Sequence, residues 1–81
     1  MSRDEIYSKL TDIFRDIFDD DSIELNDATT ANDIEDWDSL EQINIIGSCE
    51  MEFGIKFNMK EVVDLHNVGE MVDIISTKVN A

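Results

Sequence analysis

Three groups of residues have the types and spacing to do chemistry. The hexapeptide DWDSLE at 36–41 offers the Ser39 hydroxyl directly after an acid. Cys49 and His66 are the single thiol and the single imidazole of the chain. The acidic run DDDSIE at 19–24 is dense in oxygen ligands. The run does not fit a calcium loop, which needs glycine at the sixth position and glutamate at the twelfth. Counted from Asp19, those positions hold Glu24 and Thr30. It reads as a solvated acidic helix end with room for loose divalent binding, and no specific metal site is expected. Self-contained catalysis is not expected either. Cys49 falls on an apolar stripe, where cysteine acts as a small hydrophobe. A Ser39–His66 pair would need a third orienting group and a pocket. His66, next to Asn67, reads as part of a helix-start turn. Ser39 remains, either as an inert first-turn hydroxyl or as a point of covalent attachment.

The elements that must position Ser39 follow from apolar spacing. Ile6, Tyr7, Leu10, Ile13, Phe14, Ile17 and Phe18 recur at the three-and-four steps of one helix face. Leu40, Ile43, Ile46, Cys49 and Phe53 form a second stripe, and Val68, Met71, Val72, Ile75 and Val79 a third. Met59, Val62 and Val63 allow a short helix between the last two. Each helix start carries a capping-box pair, a small polar residue with an acid three positions on: Ser2 with Glu5, Asp38 with Glu41, Asn58 with Glu61, Asn67 with Glu70. Residues 19–37 are the exception, a long loop pinned by Ile23, Leu25, Ile34 and Trp37, with one helical turn expected near Thr30 to Ile34. Loops this long in small domains are often functional. The expected fold is all-α: a small four-helix bundle of three longer helices and one short one, with a long connection between the first two.

Composition limits what such a bundle can do. Its 81 residues make one domain spanning 1–81, and a chain this short buries only about 60% of the surface its unfolded form exposes. Twenty acidic residues against six basic ones give a net charge of −14. That excludes nucleic acid and anionic membrane as partners, since both need basic patches, and points to proteins with basic docking surfaces. The opening MSRDEIYSKL has charge within its first five residues and no long apolar run, so no signal peptide is expected. No stretch reaches the apolar length of a membrane span. The expectation is a monomer in the cytoplasm.

Taken in order, the first helix, the long loop, DSL opening the second helix, and EMEFGIKF at 50–57 resemble the acyl carrier protein family, with its E-x-E-F-x-x-x-[IF] stretch. The short third helix and a fourth introduced by Asn67-Val68 follow at family spacing. The resemblance implies that Ser39, within the motif Asp38-Ser39-Leu40, carries a 4′-phosphopantetheine arm derived from coenzyme A. A separate phosphopantetheinyl transferase would install it, using magnesium held in the transferase's own site. The arm's thiol would hold acyl groups as thioesters and present them to acyl-transferring and acyl-modifying enzymes. That makes the protein a carrier, not an enzyme, in fatty acid, polyketide or a related specialised acyl pathway. A helix N-terminus suits a phosphate, because unpaired N–H groups and the helix dipole point toward it. The reading from a different class is a small acidic helical adaptor that binds a basic partner with no prosthetic group.

Partner docking is expected at Trp37, Glu41, Asn44, Ile45, Met51 and Glu52. Glu41, Asn44, Ser48 and Glu52 share an outward arc at 3.6 residues per turn, with Ile45 on its border and Met51 adding apolar contact. Family members commonly carry acids where Asn44, Met51 and Lys60 stand, so this face is less acidic than the net charge suggests. Trp37 replaces the small or glycine-rich approach common in fatty-acid carriers, and stands either exposed as a contact or packed on the bundle. These departures point to a dedicated pathway carrier. Ile46, Cys49, Phe57, Val62 and Leu65 would line the groove in which the family can shelter an acyl chain, or simply fill a packed core. Self-repulsion at this net charge gives a first prediction: added salt or magnesium raises the melting temperature at neutral pH. A flat response would count against repulsion as the main liability.

Overall fold

Four helices form in the computed structural model, which describes residues 1–80. They are α1 (Arg3–Phe18), α2 (Ser39–Phe53), α3 (Met59–Val63) and α4 (Val68–Val79), and no strand occurs among the described residues. None of the helices is long and apolar enough to cross a membrane. All four starts fall at the expected caps. Ser2 and Asn58 form complete boxes with Glu5 and Glu61. Asp38 and Asn67 cap only in one direction, accepting from the Glu41 and Glu70 N–H groups. The return half is missing because each acid is otherwise engaged. The Glu41 carboxylate accepts from the Asn44 side-chain amide at 3.0 Å, and that of Glu70 from the His66 N–H at 2.9 Å.

The first and third stripes turn inward as expected. Ile6, Leu10 and Phe14 of α1, and Val68, Met71, Val72 and Ile75 of α4, are buried. Burial of such side chains is worth roughly 1.5–3 kcal/mol each. The second stripe needs correction. Leu40 and Ile43 are 65% and 66% exposed, while Ile45, placed at the edge of the outward arc, is fully buried beside Cys49 and Ile46. Steps of three residues fall short of a full turn by about 60°. The line Leu40–Ile43–Ile46–Cys49 therefore winds half-way round the helix, and only its later part lies on the core side. Ile45 and Cys49, four apart, mark the inward face.

The long connection is ordered by backbone contacts with α4. The Thr29 carbonyl accepts the Val68 N–H at 2.8 Å, and the Asp27 carbonyl accepts the Gly69 N–H at 3.1 Å. Two first-turn donors of α4, which have no partner within the helix, are satisfied this way. Thr29 is buried, its hydroxyl accepting the Asn26 N–H at 3.0 Å. The Asp27 carboxylate receives the Tyr7 hydroxyl and the Arg3 guanidinium, and Arg3 also reaches Asp73 of α4 at 2.6 Å. Ile23 is buried and Leu25, Ile34 and Trp37 partly so, as the pinning residues require. The expected helical turn at Thr30–Ile34 is instead a tight turn. Its Asp33 N–H bonds the Thr30 carbonyl, and the Asp33 carboxylate accepts the Thr30 N–H, both at 2.9 Å.

Four of the six basic residues join different elements. Arg3 links α1 to the loop and α4, Lys9 pairs with Glu52 of α2, and Lys78 with Glu61 of α3. The Arg15 guanidinium donates to the Ile23 carbonyl in the loop at 2.9 Å.

Two predictions follow from the loop–α4 contact. A Cβ at Gly69 would lie 2.8 Å from the Asp27 carbonyl oxygen. Gly69→Ala should therefore destabilise by about 1–3 kcal/mol through overpacking, although alanine is ordinarily the better helix former. A raised melting temperature would refute the close approach. The Tyr7 hydroxyl first, then Arg3, hold the Asp27 carboxyl below its usual 3.8. Because the folded value is depressed, this contribution is fully present above the unfolded value and is lost as pH falls through the folded one. Asp27→Asn should lower the melting temperature at neutral pH, by an amount that shrinks once pH drops below about 4. A deficit independent of pH would show that the carboxylate charge is not what matters.

Candidate functional site

Ser39 is the first residue of α2, and its side chain is exposed. The residue before it has extended backbone (Asp38, φ −113°), so the helical conformation begins at Ser39. Asp38 satisfies two of the early amides. Its carboxylate accepts the Glu41 N–H and its carbonyl the Gln42 N–H, both at 2.9 Å. The N–H groups of Ser39 and Leu40 find no acceptor among the described residues. A helix end with free donors and a favourable dipole is suited to an anionic oxygen.

Beside Ser39 lies an open hollow of about 510 Å³. Its polar wall is formed by Asp38, Gln42, His66 and Asn67, and its apolar wall by Trp37, Ile43, Val62, Leu65 and Met71. Of the five residues expected in a groove, Val62 and Leu65 line it. Ile46 and Cys49 are core residues instead, because they lie on the inward arc of α2. Phe57 is partly buried at the α2–α3 connection, where its N–H donates to the Glu50 carboxylate at 2.9 Å. The hollow sits at the N-terminal end of α2, a turn or more before the expected groove. Gln42 and Ile43, three and four positions after Ser39, carry the helical spacing that would have found this wall. Met71 and Ala31 reach it only through the tertiary fold.

Trp37 is packed. Its ring meets Phe14 edge-on, with centroids 5.1 Å apart and planes at 84°, and its indole N–H donates to Gln42 Oε1 at 2.7 Å. Among the other expected docking residues, Asn44 is exposed, Glu41 partly so, and Met51 stands 88% exposed. Glu52 is exposed but engaged by Lys9 at 3.0 Å. Ile45 is buried and unavailable to a partner. Leu40 and Ile43 are instead exposed apolar residues of α2, with Met59 and Val63 exposed on α3.

The remaining chemistry-bearing residues are unfavourably placed for catalysis. Cys49 is buried, and burial followed by the nearby Glu50 charge pushes its thiol up to about 12, so the thiolate is scarce. His66 borders the same hollow as Ser39, but no hydrogen bond joins them among the described residues.

Known proteins resemble this chain over most of its length. The family model described as "Phosphopantetheine attachment site" matches residues 8–75. The acyl carrier protein of Petrotoga mobilis (strain DSM 10674 / SJ95) is 33% identical over 82 residues, spanning 99% of this chain and 94% of that protein. The solution NMR structure of holo acyl carrier protein from Geobacter metallireducens superposes with a TM-score of 0.86 at 47% identity, over 91% of this chain and 85% of that one. The four-helix architecture and the matched span lead to one conclusion: this chain belongs to the acyl carrier protein family, the carriers whose prosthetic group is 4′-phosphopantetheine.

Proposed function

We propose that Ser39 is the residue to which the phosphopantetheine arm is attached. The observation that carries this reading is the position of Ser39: the exposed first residue of α2, flanked by unpaired N–H groups and bordering an open hollow. The residues present fit the group. The Ser39 and Leu40 amides suit a phosphodiester, and the hollow has room along one side for a flexible chain. The Ser39 hydroxyl oxygen attacks the pyrophosphate of coenzyme A. A new O–P bond forms, the P–O–P bond breaks, adenosine 3′,5′-bisphosphate departs, and the hydroxyl proton passes to a base of the transferase. Once in place, the arm supplies a thiol that holds acyl groups as thioesters. This chain's own residues anchor the arm and shape the surface that partners meet.

Family membership brings two kinds of partner, a phosphopantetheinyl transferase and enzymes that handle acyl groups. In our reading these partners present basic surfaces to the acidic body of the protein, and apolar ones to Leu40, Ile43 and Met51 on α2. Charge steers such encounters and keeps exchange fast. A single anchor then serves several active sites by raising the local concentration of its cargo. In this reading the protein acts as a carrier rather than a catalyst, which its membership of a family of carriers supports. A single domain, a monomeric state, a cytoplasmic location and a dedicated rather than housekeeping pathway belong to the same proposal. The uncharged Asn44 and apolar Met51 on the exposed arc support the last of these.

Incubation with coenzyme A and a broad-specificity phosphopantetheinyl transferase tests the attachment by intact mass. The protein should gain one phosphopantetheinyl group, and Ser39→Ala should stay folded and gain none. Absence of any gain, or a gain that persists in Ser39→Ala, would sink the assignment.

A further inference from the structure

The contact between Trp37 and Gln42 orients a hydrogen-bond donor beside Ser39. An indole N–H can only donate, so the atom of Gln42 that faces it at 2.7 Å is the amide oxygen. The indole is itself held, packed edge-on against the buried Phe14. With the oxygen engaged, the Nε2 amino group is the part of the amide left to bond, and it finds no acceptor among the described residues. Its location follows from helix geometry. Helical side chains lean toward the N-terminus, and residues three apart are neighbours on the surface. The bond to Trp37, which precedes the helix, holds the amide head on the side of the hollow that Ser39 also borders. Trp37, Ser39 and Gln42 all border the same hollow.

We propose that Gln42, oriented by Trp37, donates a hydrogen bond from Nε2 to the phosphodiester of the arm carried on Ser39, and so restrains the arm where it leaves the protein. The inference rests on the attachment at Ser39. The phosphodiester is the ligand group chosen because it is bonded to the Ser39 oxygen itself, and the Gln42 side chain is a surface neighbour of Ser39. Gln42 is a positioning residue in this scheme, and Trp37 acts through it.

The test compares unloaded and loaded full-length protein by NMR, after mass measurement has established loading. In the loaded wild type, one Gln42 Nε2 proton should move downfield and exchange with water several-fold more slowly. Trp37→Phe keeps an aromatic ring on Phe14 but removes the indole donor, so the protection gained on loading should fall. Gln42→Glu keeps an oxygen for the indole but replaces the donor with an anion. Its indole N–H should stay hydrogen-bonded, now to a charged acceptor, while the phosphorus resonance of the loaded arm shifts from the wild-type position. A phosphorus signal unmoved by an anion at this position would place Gln42 away from the phosphodiester, and this result would overturn the proposal. An Nε2 proton unchanged by loading would overturn it equally. Equal protection in Trp37→Phe would remove Trp37 from the scheme. If the wild type gains no mass, the attachment reading has failed and this inference falls with it.

Discussion

The N-terminus of α4 depends on the loop that crosses it. A helix start leaves donors that must find acceptors, and here two of them bond the carbonyls of Asp27 and Thr29. The loop backbone approaches closely enough that only glycine fits at position 69. The same segment receives Tyr7 and Arg3 of α1 on the Asp27 carboxylate. One short stretch of chain is thereby joined to the first and last helices together. The remainder of the connection, running on through the Thr30–Asp33 turn to Trp37, inherits its course from that junction. Ser39 is delivered to the surface at the end of this path.

Electrostatics shapes the molecule through the placement of its few cations. Exposed ion pairs contribute little individually, about 0–1 kcal/mol. Yet Arg3, Lys9, Arg15 and Lys78 each bridge two elements, bringing positive charge where acidic segments would otherwise meet. Much of the remaining acidity lies in the first helix and the loop. The exposed arc of α2 is different in character: Leu40, Ile43 and Met51 are apolar, and Asn44 is uncharged.

The α2–α3 connection shows how one residue sets a local path. Gly54 takes the left-handed conformation (φ 65°) that ends α2. The Glu50 carbonyl accepts the Ile55 N–H at 3.2 Å, and its carboxylate accepts the Phe57 N–H at 2.9 Å. The stretch Glu50–Phe57 that carries the family resemblance is thus a folding device, as the DSL motif is a helix start. Trp37 likewise has two roles, filling space against Phe14 and turning its N–H to Gln42.

Much of this was legible in the sequence where the physics is local. Caps and their acids lie three residues apart, so the starts of all four helices could be read from Ser2, Asp38, Asn58 and Asn67. The inward faces of α1 and α4 followed from continuous apolar spacing, and the place of Ser39 in the first turn of α2 from the cap at Asp38. The orientation of α2 was not legible, because it has apolar residues on both sides: Leu40 and Ile43 on one, Ile45 and Cys49 on the other. Periodicity alone does not say which arc a neighbouring helix will cover. The same holds for the packing of Trp37 on Phe14, for Asp27 against Gly69, and for the hollow that joins Gln42 to Met71. Each depends on residues far apart in the chain, and only their meeting in the folded structure decided them.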